Sequence, residues 1–164
     1  MVVIGIDSAE LSGLAVVARD PGARERVVYS AVATVTTAAD VEAIVHQLAA
    51  HAPDLVVVEE PWVHPRMPLA GLVLARLCGR WLQALETRGL TTVTIPASMW
   101  QPGLLGGPKG LLGARATRPQ RKAAAQTWVR SVFGIDATED QADAICMATY
   151  ALRNASRTAP PRAA

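Results

Sequence analysis

Lysine is nearly absent from this chain. Lys109 and Lys122 are the only two in 164 residues, and arginine carries the rest of the positive side-chain charge. Cysteine is equally scarce: Cys78 and Cys146 lie far apart within apolar helical patterns and read as buried thiols. The three histidines, His46, His51 and His64, share no zinc-ligand spacing with them, which argues against a structural zinc site. No apolar run approaches the length needed to cross a bilayer, and Met1 leads straight into a strand without a basic leader. A cytoplasmic protein with no membrane partner is the expectation. Acids are missing altogether from Thr87 to Ile135, where Arg88, Lys109, Arg115, Arg118, Arg121, Lys122 and Arg130 supply seven positive charges. The net charge is only +2, so the asymmetry is local. A one-sided basic segment is either an electrostatic footprint for a polyanion or a solvated loop and helix face.

What is present is enough apolar material for a core. Hydrophobic residues make up 51% of the chain and charged residues 18%, a globular composition. The length fits one domain, expected over residues 1–153, with a Pro-, Ala- and Arg-rich tail over 154–164 expected to be flexible.

The stretch Val2-Val3-Ile4-Gly5-Ile6-Asp7 reads as a buried strand that ends on an acid. Ser8 to Gly13 is a short polar connection, after which Leu14-Ala15-Val16-Val17 resumes as the second arm of an antiparallel hairpin. Arg26 to Ala33 reads as a third strand, preceded by the Pro21-Gly22 turn. From Thr37 to Ala50, Val41, Ile44, Val45 and Leu48 recur at helical spacing, with Thr37 and Asp40 placed to cap the start. Leu55-Val56-Val57-Val58 is a short apolar strand of the kind buried on both faces, and it ends in Glu59-Glu60. Two buried strands thus deliver an acid at their C-terminal ends, the edge where open α/β sheets build sites.

After the stiff aromatic loop Pro61 to Pro65, a helix runs from Pro68 to Arg88 with one broad apolar face: Leu69, Leu72, Val73, Leu77, Trp81, Leu82 and Leu85. That face is either ordinary core or a surface for a second copy. Thr91 to Ile95 reads as the fifth strand. Gln101 to Thr117 holds five Gly and two Pro without a consistent period and is expected to be a mobile loop. Thr117 with Gln120 makes a capping-box pattern that opens a helix through Phe133, closed by Gly134; its polar face carries Arg118, Arg121, Lys122 and Arg130. Thr138 to Gln141 is a second such pattern and opens the last helix, where Asp140 and Asp143 share a face.

Taken singly, Asp7 reads as a turn residue and the Asp140/Asp143 pair as acids suited to a helix N-terminus. Together, Asp7, Glu59, Asp140 and Asp143 converge by topology on one sheet edge. Four carboxylates packed together cannot all stay ionised without a cation. No Lys or Arg lies within these motifs, so a divalent metal is the expected neutraliser. Oxygen ligands without His or Cys select Mg2+ or Mn2+. Two such ions about 4 Å apart clamp the attacking water and the leaving oxygen of a phosphodiester, and the basic segment would hold the nucleic-acid backbone.

This order, strand-Gly-Ile-Asp, apolar strand-Glu, then Asp-x-x-Asp-Ala on a C-terminal helix, resembles the RuvC family of Holliday junction resolvases in the ribonuclease H-like superfamily. The match runs from Val2 to about Leu152. The resemblance implies an α/β ribonuclease H-like fold, a mixed five-stranded sheet (three antiparallel strands, then parallel ones) flanked by helices. It implies a homodimer, joined through the helix from Pro68 to Arg88, that nicks opposed strands of a four-way DNA junction. It makes Asp7, Glu59, Asp140 and Asp143 catalytic metal ligands for two Mg2+ or Mn2+ ions. Trp62 falls where the family places an aromatic wedge, and Lys122 where it has a catalytic basic residue. Lys109 is a candidate for a second basic residue, and Arg115, Arg118 and Arg121 are candidate phosphate contacts.

The chain departs from the family in reading Asp7-Ser8-Ala9 where Asp-Pro-Gly is usual, and the doubled Glu59-Glu60 leaves two candidates for one ligand, of which Glu59 keeps the family spacing to Trp62. Other readings are a superfamily nuclease acting on another branched DNA, RNA or hybrid, and a non-catalytic nucleic-acid-binding module. An actin-like phosphotransferase also begins strand-Gly-Ile-Asp, but the chain is too short for its two domains.

Overall fold

The computed structural model describes residues 1–62, 68–106 and 116–155. The chain opens with three strands, β1 (Val2–Asp7), β2 (Leu11–Ala18) and β3 (Arg26–Thr34), followed by helix α1 (Ala38–Ala49). Then come β4 (Leu55–Glu59), α2 (Pro68–Thr87), β5 (Thr92–Ile95), α3 (Ala97–Leu105), α4 (Arg118–Phe133) and α5 (Glu139–Arg153). The strands form one sheet in the order β3-β2-β1-β4-β5. The first three pair antiparallel, while β4 is parallel to both β1 and β5. The five strands are those anticipated from the apolar runs, and their mixed sheet is the one the resemblance implies.

Side chains alternate between the faces of a strand, and here both faces are covered. Ile4, Ile6, Leu14, Val16, Val56 and Val58 pack with Val41, Val45 and Leu48 of α1 and with Leu77, Trp81 and Leu85 of α2. Val3, Ala15, Val17, Leu55 and Val57 face the other way, into a core with α3, α4 and α5. The same parity decides where the terminal acids point. Asp7 follows Val3 and Gly5, and Glu59 follows Leu55 and Val57, so both acids sit on the α5 side. One step beyond the Ile6–Val58 register pair, they end neighbouring parallel strands.

Helix α5 is buried from Ala142 through Thr149 because it lies between the sheet and α4. Its approach to the sheet requires glycine. A Cβ on Gly5 would stand 2.2 Å from the Ala144 carbonyl oxygen, and one on Gly13 would stand 2.0 Å from that of Asp140. Gly13 is paired in register with Asp7. The glycines therefore bring the first turn of α5 down beside the end of β1.

Both capping boxes are present, with Gln120 Oε1 accepting from the Thr117 N–H at 2.8 Å and Gln141 Oε1 from the Thr138 N–H at 3.0 Å. Gly134, at φ 70, closes α4 in the left-handed conformation.

Two expectations change. The loop expected over residues 101–117 begins instead as the last half of α3, through Leu105. Burial of Trp100 and Leu105 overrides the poor helix propensity of Pro102 and Gly103, and Gly106 ends the helix by donating to the Pro102 carbonyl. Residues 107–115, with Lys109 and Arg115, lie outside the described residues, as does most of the tail. The second change is in α2, whose apolar stripe is divided. Leu77, Trp81 and Leu85 are core, whereas Leu69, Leu72 and Val73 are 62–77% exposed.

Gly5→Ala is expected to lower stability by about 1–3 kcal/mol through overpacking against the α5 backbone. Thermal unfolding checks this, and an unchanged melting temperature would mean that α5 does not rest on the sheet at that point.

Candidate active site

The four acids singled out in the sequence meet at the sheet edge where β1 and β4 end. The Asp7 and Glu59 carboxyl groups lie close enough to act on each other, and the Asp7 charge helps to raise Glu59. Asp143, 6% exposed, and Asp140 descend from the first turn of α5. The parity of β4 resolves the doubled acid: Glu59 turns inward, whereas Glu60 is exposed and its N–H donates to the Ile95 carbonyl at 2.9 Å.

One lysine stands among these acids: Lys122, which lies outside the acid-bearing motifs in the sequence and which the family resemblance singles out. Lys122 Nζ lies 2.6 Å from Asp143, 3.2 Å from Asp140 and 3.7 Å from Asp7. Sequence distance concealed this, because α4 runs alongside α5 and brings its first turn back to the acids. Arg118 is exposed on the same turn, and its charge acts on Asp7. Arg121 donates to the Ala116 carbonyl at 2.9 Å. Arg130 lies away from the site, paired with Asp136. Trp62 is 72% exposed beyond the end of β4.

Trp100 escaped the sequence reading. Fully buried in α3, it donates its indole N–H to Glu59 Oε1 at 3.1 Å. The available signal was a tryptophan within a strongly apolar segment, whose N–H needs a partner when buried. The backbone at Glu59 is held as well: Ser8 Oγ donates to its carbonyl at 3.3 Å and the Cys78 thiol approaches at 3.9 Å.

Burial and crowding dominate the electrostatics. Desolvation, followed by the charge of Asp7, pushes Glu59 up to about 8. Desolvation also raises Asp143 to about 6 against the opposing pull of Lys122, and raises Asp7. At Lys122 the balance reverses. Burial works against its charge, but Asp143, Asp7 and Asp140 together hold the ammonium above its ordinary value. One cation thus fails to neutralise the acids. Among the described residues no three acids, histidines or cysteines stand around a common point suited to an ion, and three of the carboxylates close on Lys122. The donor set nevertheless fits a hard divalent cation: it is all oxygen, and its negative charge exceeds what one ammonium offsets.

No protein-family model and no curated protein matches the sequence. Solved structures do match the fold. Thermus thermophilus RuvC superposes with a TM-score of 0.72 at 21% identity, over 98% of this chain and 100% of that one. The same organism's RuvC in complex with Holliday junction substrate gives 0.71 at 22% identity, over 98% and 99%. Fowlpox virus resolvase, in complex with substrate Holliday junction DNA, gives 0.61 at 9% identity, over 94% and 99%. The fold is ribonuclease H-like, of the RuvC type. At this identity, what is common is the fold.

In the metal-free protein, the raised acids give a definite pH dependence. Between its ordinary value of 4.5 and about 8, Glu59 holds a proton in the folded state that the unfolded chain releases. The folded state binds more protons across that window, so stability falls as pH rises through it. Thermal unfolding in chelator is expected to show a declining melting temperature from about pH 5 to about pH 8. Saturating Mg2+ and the substitution Glu59→Gln should each flatten the decline. A level profile in chelator would mean that the acids are not crowded.

Proposed function

We propose that this protein is a structure-selective DNA endonuclease that resolves four-way junctions by metal-dependent phosphodiester hydrolysis, acting as a homodimer that makes paired symmetric nicks. The observation that carries this reading is the gathering of four acids at one sheet edge, where Asp7, Asp140 and Asp143 close on Lys122 and Glu59 stands beside Asp7. Buried acids repel a phosphate backbone, so a surface meant only to bind DNA gains nothing from them. With divalent metal they become the means of approaching it.

Each residue has a role in this scheme. Asp7, Glu59, Asp140 and Asp143 would hold two Mg2+ or Mn2+ ions. Such ions supply Lewis-acid stabilisation of the attacking and leaving oxygens. Lys122, beside the acids that would hold the ions, would neutralise charge on the phosphate undergoing attack. Arg118 and Arg121 flank it at the start of α4 and would hold neighbouring phosphates, joined by Lys109 and Arg115 of the segment that precedes the helix. Trp62, exposed beyond Glu59, offers a ring on which a base at the branch point can stack, a contact worth about 1–3 kcal/mol. Leu69, Leu72 and Val73 form an exposed apolar surface on α2 that suits burial against a second copy.

The test is incubation of the purified protein with a labelled four-way DNA junction, with and without Mg2+ or Mn2+. Linear duplex, a flap and an RNA–DNA hybrid run alongside. Paired nicks in the junction that need both metal and Asp7 are expected. Cleavage of the hybrid with the junction left intact would assign another substrate, and binding without any cut would make the acids structural.

Two substitutions separate chemistry from binding. Asp7→Asn should abolish cleavage and leave junction affinity intact, because the basic surface is untouched. Lys122→Ala should lower the cleavage rate by about 100-fold or more while affinity falls much less, as for a lost stabilising donor. Equal losses in both would reduce Lys122 to a phosphate contact.

A further inference from the structure

We propose that Trp100 is a positioning residue of this site: its indole N–H fixes the Glu59 carboxyl in the orientation from which it takes up a divalent ion. The inference rests on the nuclease reading above and extends it to a residue outside the acid and lysine cluster.

Glu59 needs such a restraint. Its main chain is set by β4 pairing with β5, by the Glu60 N–H to Ile95 and by Ser8 at its carbonyl, but none of these contacts limits rotation of the side chain. Trp100 does. Indole nitrogen is a donor only, so the 3.1 Å bond to Oε1 has one possible sense and requires an acceptor at that place. Core filling alone does not direct an indole N–H at a carboxylate. Trp81, equally buried on the opposite face of the sheet, meets no acceptor for its own N–H among the described residues.

The helix that carries Trp100 is itself anchored to the element that carries the other acids. Gly103 of α3 sits so close to Tyr150 of α5 that a Cβ there would lie 2.5 Å from the ring. At its other end α3 follows β5 directly through Pro96. Helix α3 therefore ties the β4 acid to the helix of Asp140 and Asp143. A positional error in one set of ligands is transmitted to the other.

Trp100→Phe keeps most of the ring volume and removes the donor. Removal of a hydrogen bond that orients a ligand costs about 10–100-fold in metal affinity or activity. Calorimetric titration with Mn2+, in the absence of DNA, is expected to show binding weakened to that extent, with junction affinity in chelator unchanged. Unaltered Mn2+ affinity in a folded Trp100→Phe protein would overturn the proposal.

If that variant does not fold, the Trp62→Phe protein carries the test by nuclear magnetic resonance. One of its three remaining indole N–H signals should shift on Mg2+ addition, and that shift should vanish when Glu59→Ala is added. Three signals indifferent to Mg2+ would overturn the proposal. Failure of the nuclease reading looks different: the parent protein would cut nothing, while the Glu59-dependent indole shift persisted.

Discussion

The close passage of α5 over β1 and β2 is the constraint on which the rest of the structure depends. An ordinary helix–sheet contact keeps side chains between the two backbones. At Gly5 and Gly13 there are none, and the helix carbonyls of Ala144 and Asp140 occupy the space a Cβ would take. Ala144 and Ala148 continue the same thin interface along the helix. The result is that a carboxylate at the end of a strand and two at the start of a helix share one small volume. Larger residues at these two positions would leave the fold class intact and separate the ligands.

Such proximity is electrostatically unfavourable. Native structures usually hold buried acids by pairing each with a partner. Here three share one lysine while Glu59 accepts from Trp100, and burial raises Glu59 and Asp143 into or near the physiological range. The arrangement sets stability against charge density, as sites built to bind cations do. Lys122 is the compromise available within the chain itself. It makes the acid cluster tolerable without metal and, under the proposed mechanism, neutralises charge on the phosphate undergoing attack. A single side chain would then serve both folding and chemistry.

Much of this was legible in the sequence because the relevant signals are local. Runs of Val and Ile fix the buried strands, and alternation fixes which face their terminal acids take. Capping boxes at Thr117 and Thr138 place α4 and α5 to the residue. Glu59 is preferred to Glu60 because it follows the apolar run directly and keeps the family spacing to Trp62. The failures share one cause, which is that they depend on contacts distant along the chain. Lys122 is singled out only through the family resemblance, since nothing in its local sequence indicates that α4 will return it to Asp7. Nothing near Pro102 and Gly103 favours a helix over a loop, since α3 is held by burial of Trp100 and Leu105 and by the fit of Gly103 against Tyr150. The division of α2 into a covered and an uncovered half is likewise invisible in a continuous apolar stripe.

That division bears on how two sites would act together. The covered half of α2, from Leu77 to Leu85, anchors the helix to the α1 side of the sheet. The uncovered residues Leu69, Leu72 and Val73 lie at the end of α2 nearer in sequence to Glu59 and Trp62. Paired nicks require two active sites in a fixed relation, and a two-fold interface supplies that relation only if it is rigidly joined to each site. A helix that is core at one end and exposed and apolar at the other meets both needs in a single rigid element. In the proposed dimer the spacing of the two acid clusters is therefore set by the packing of Trp81 and Leu85 as much as by the interface. If the proposed dimer makes paired nicks, mutations deep in that core would alter their symmetry without touching DNA, metal or partner.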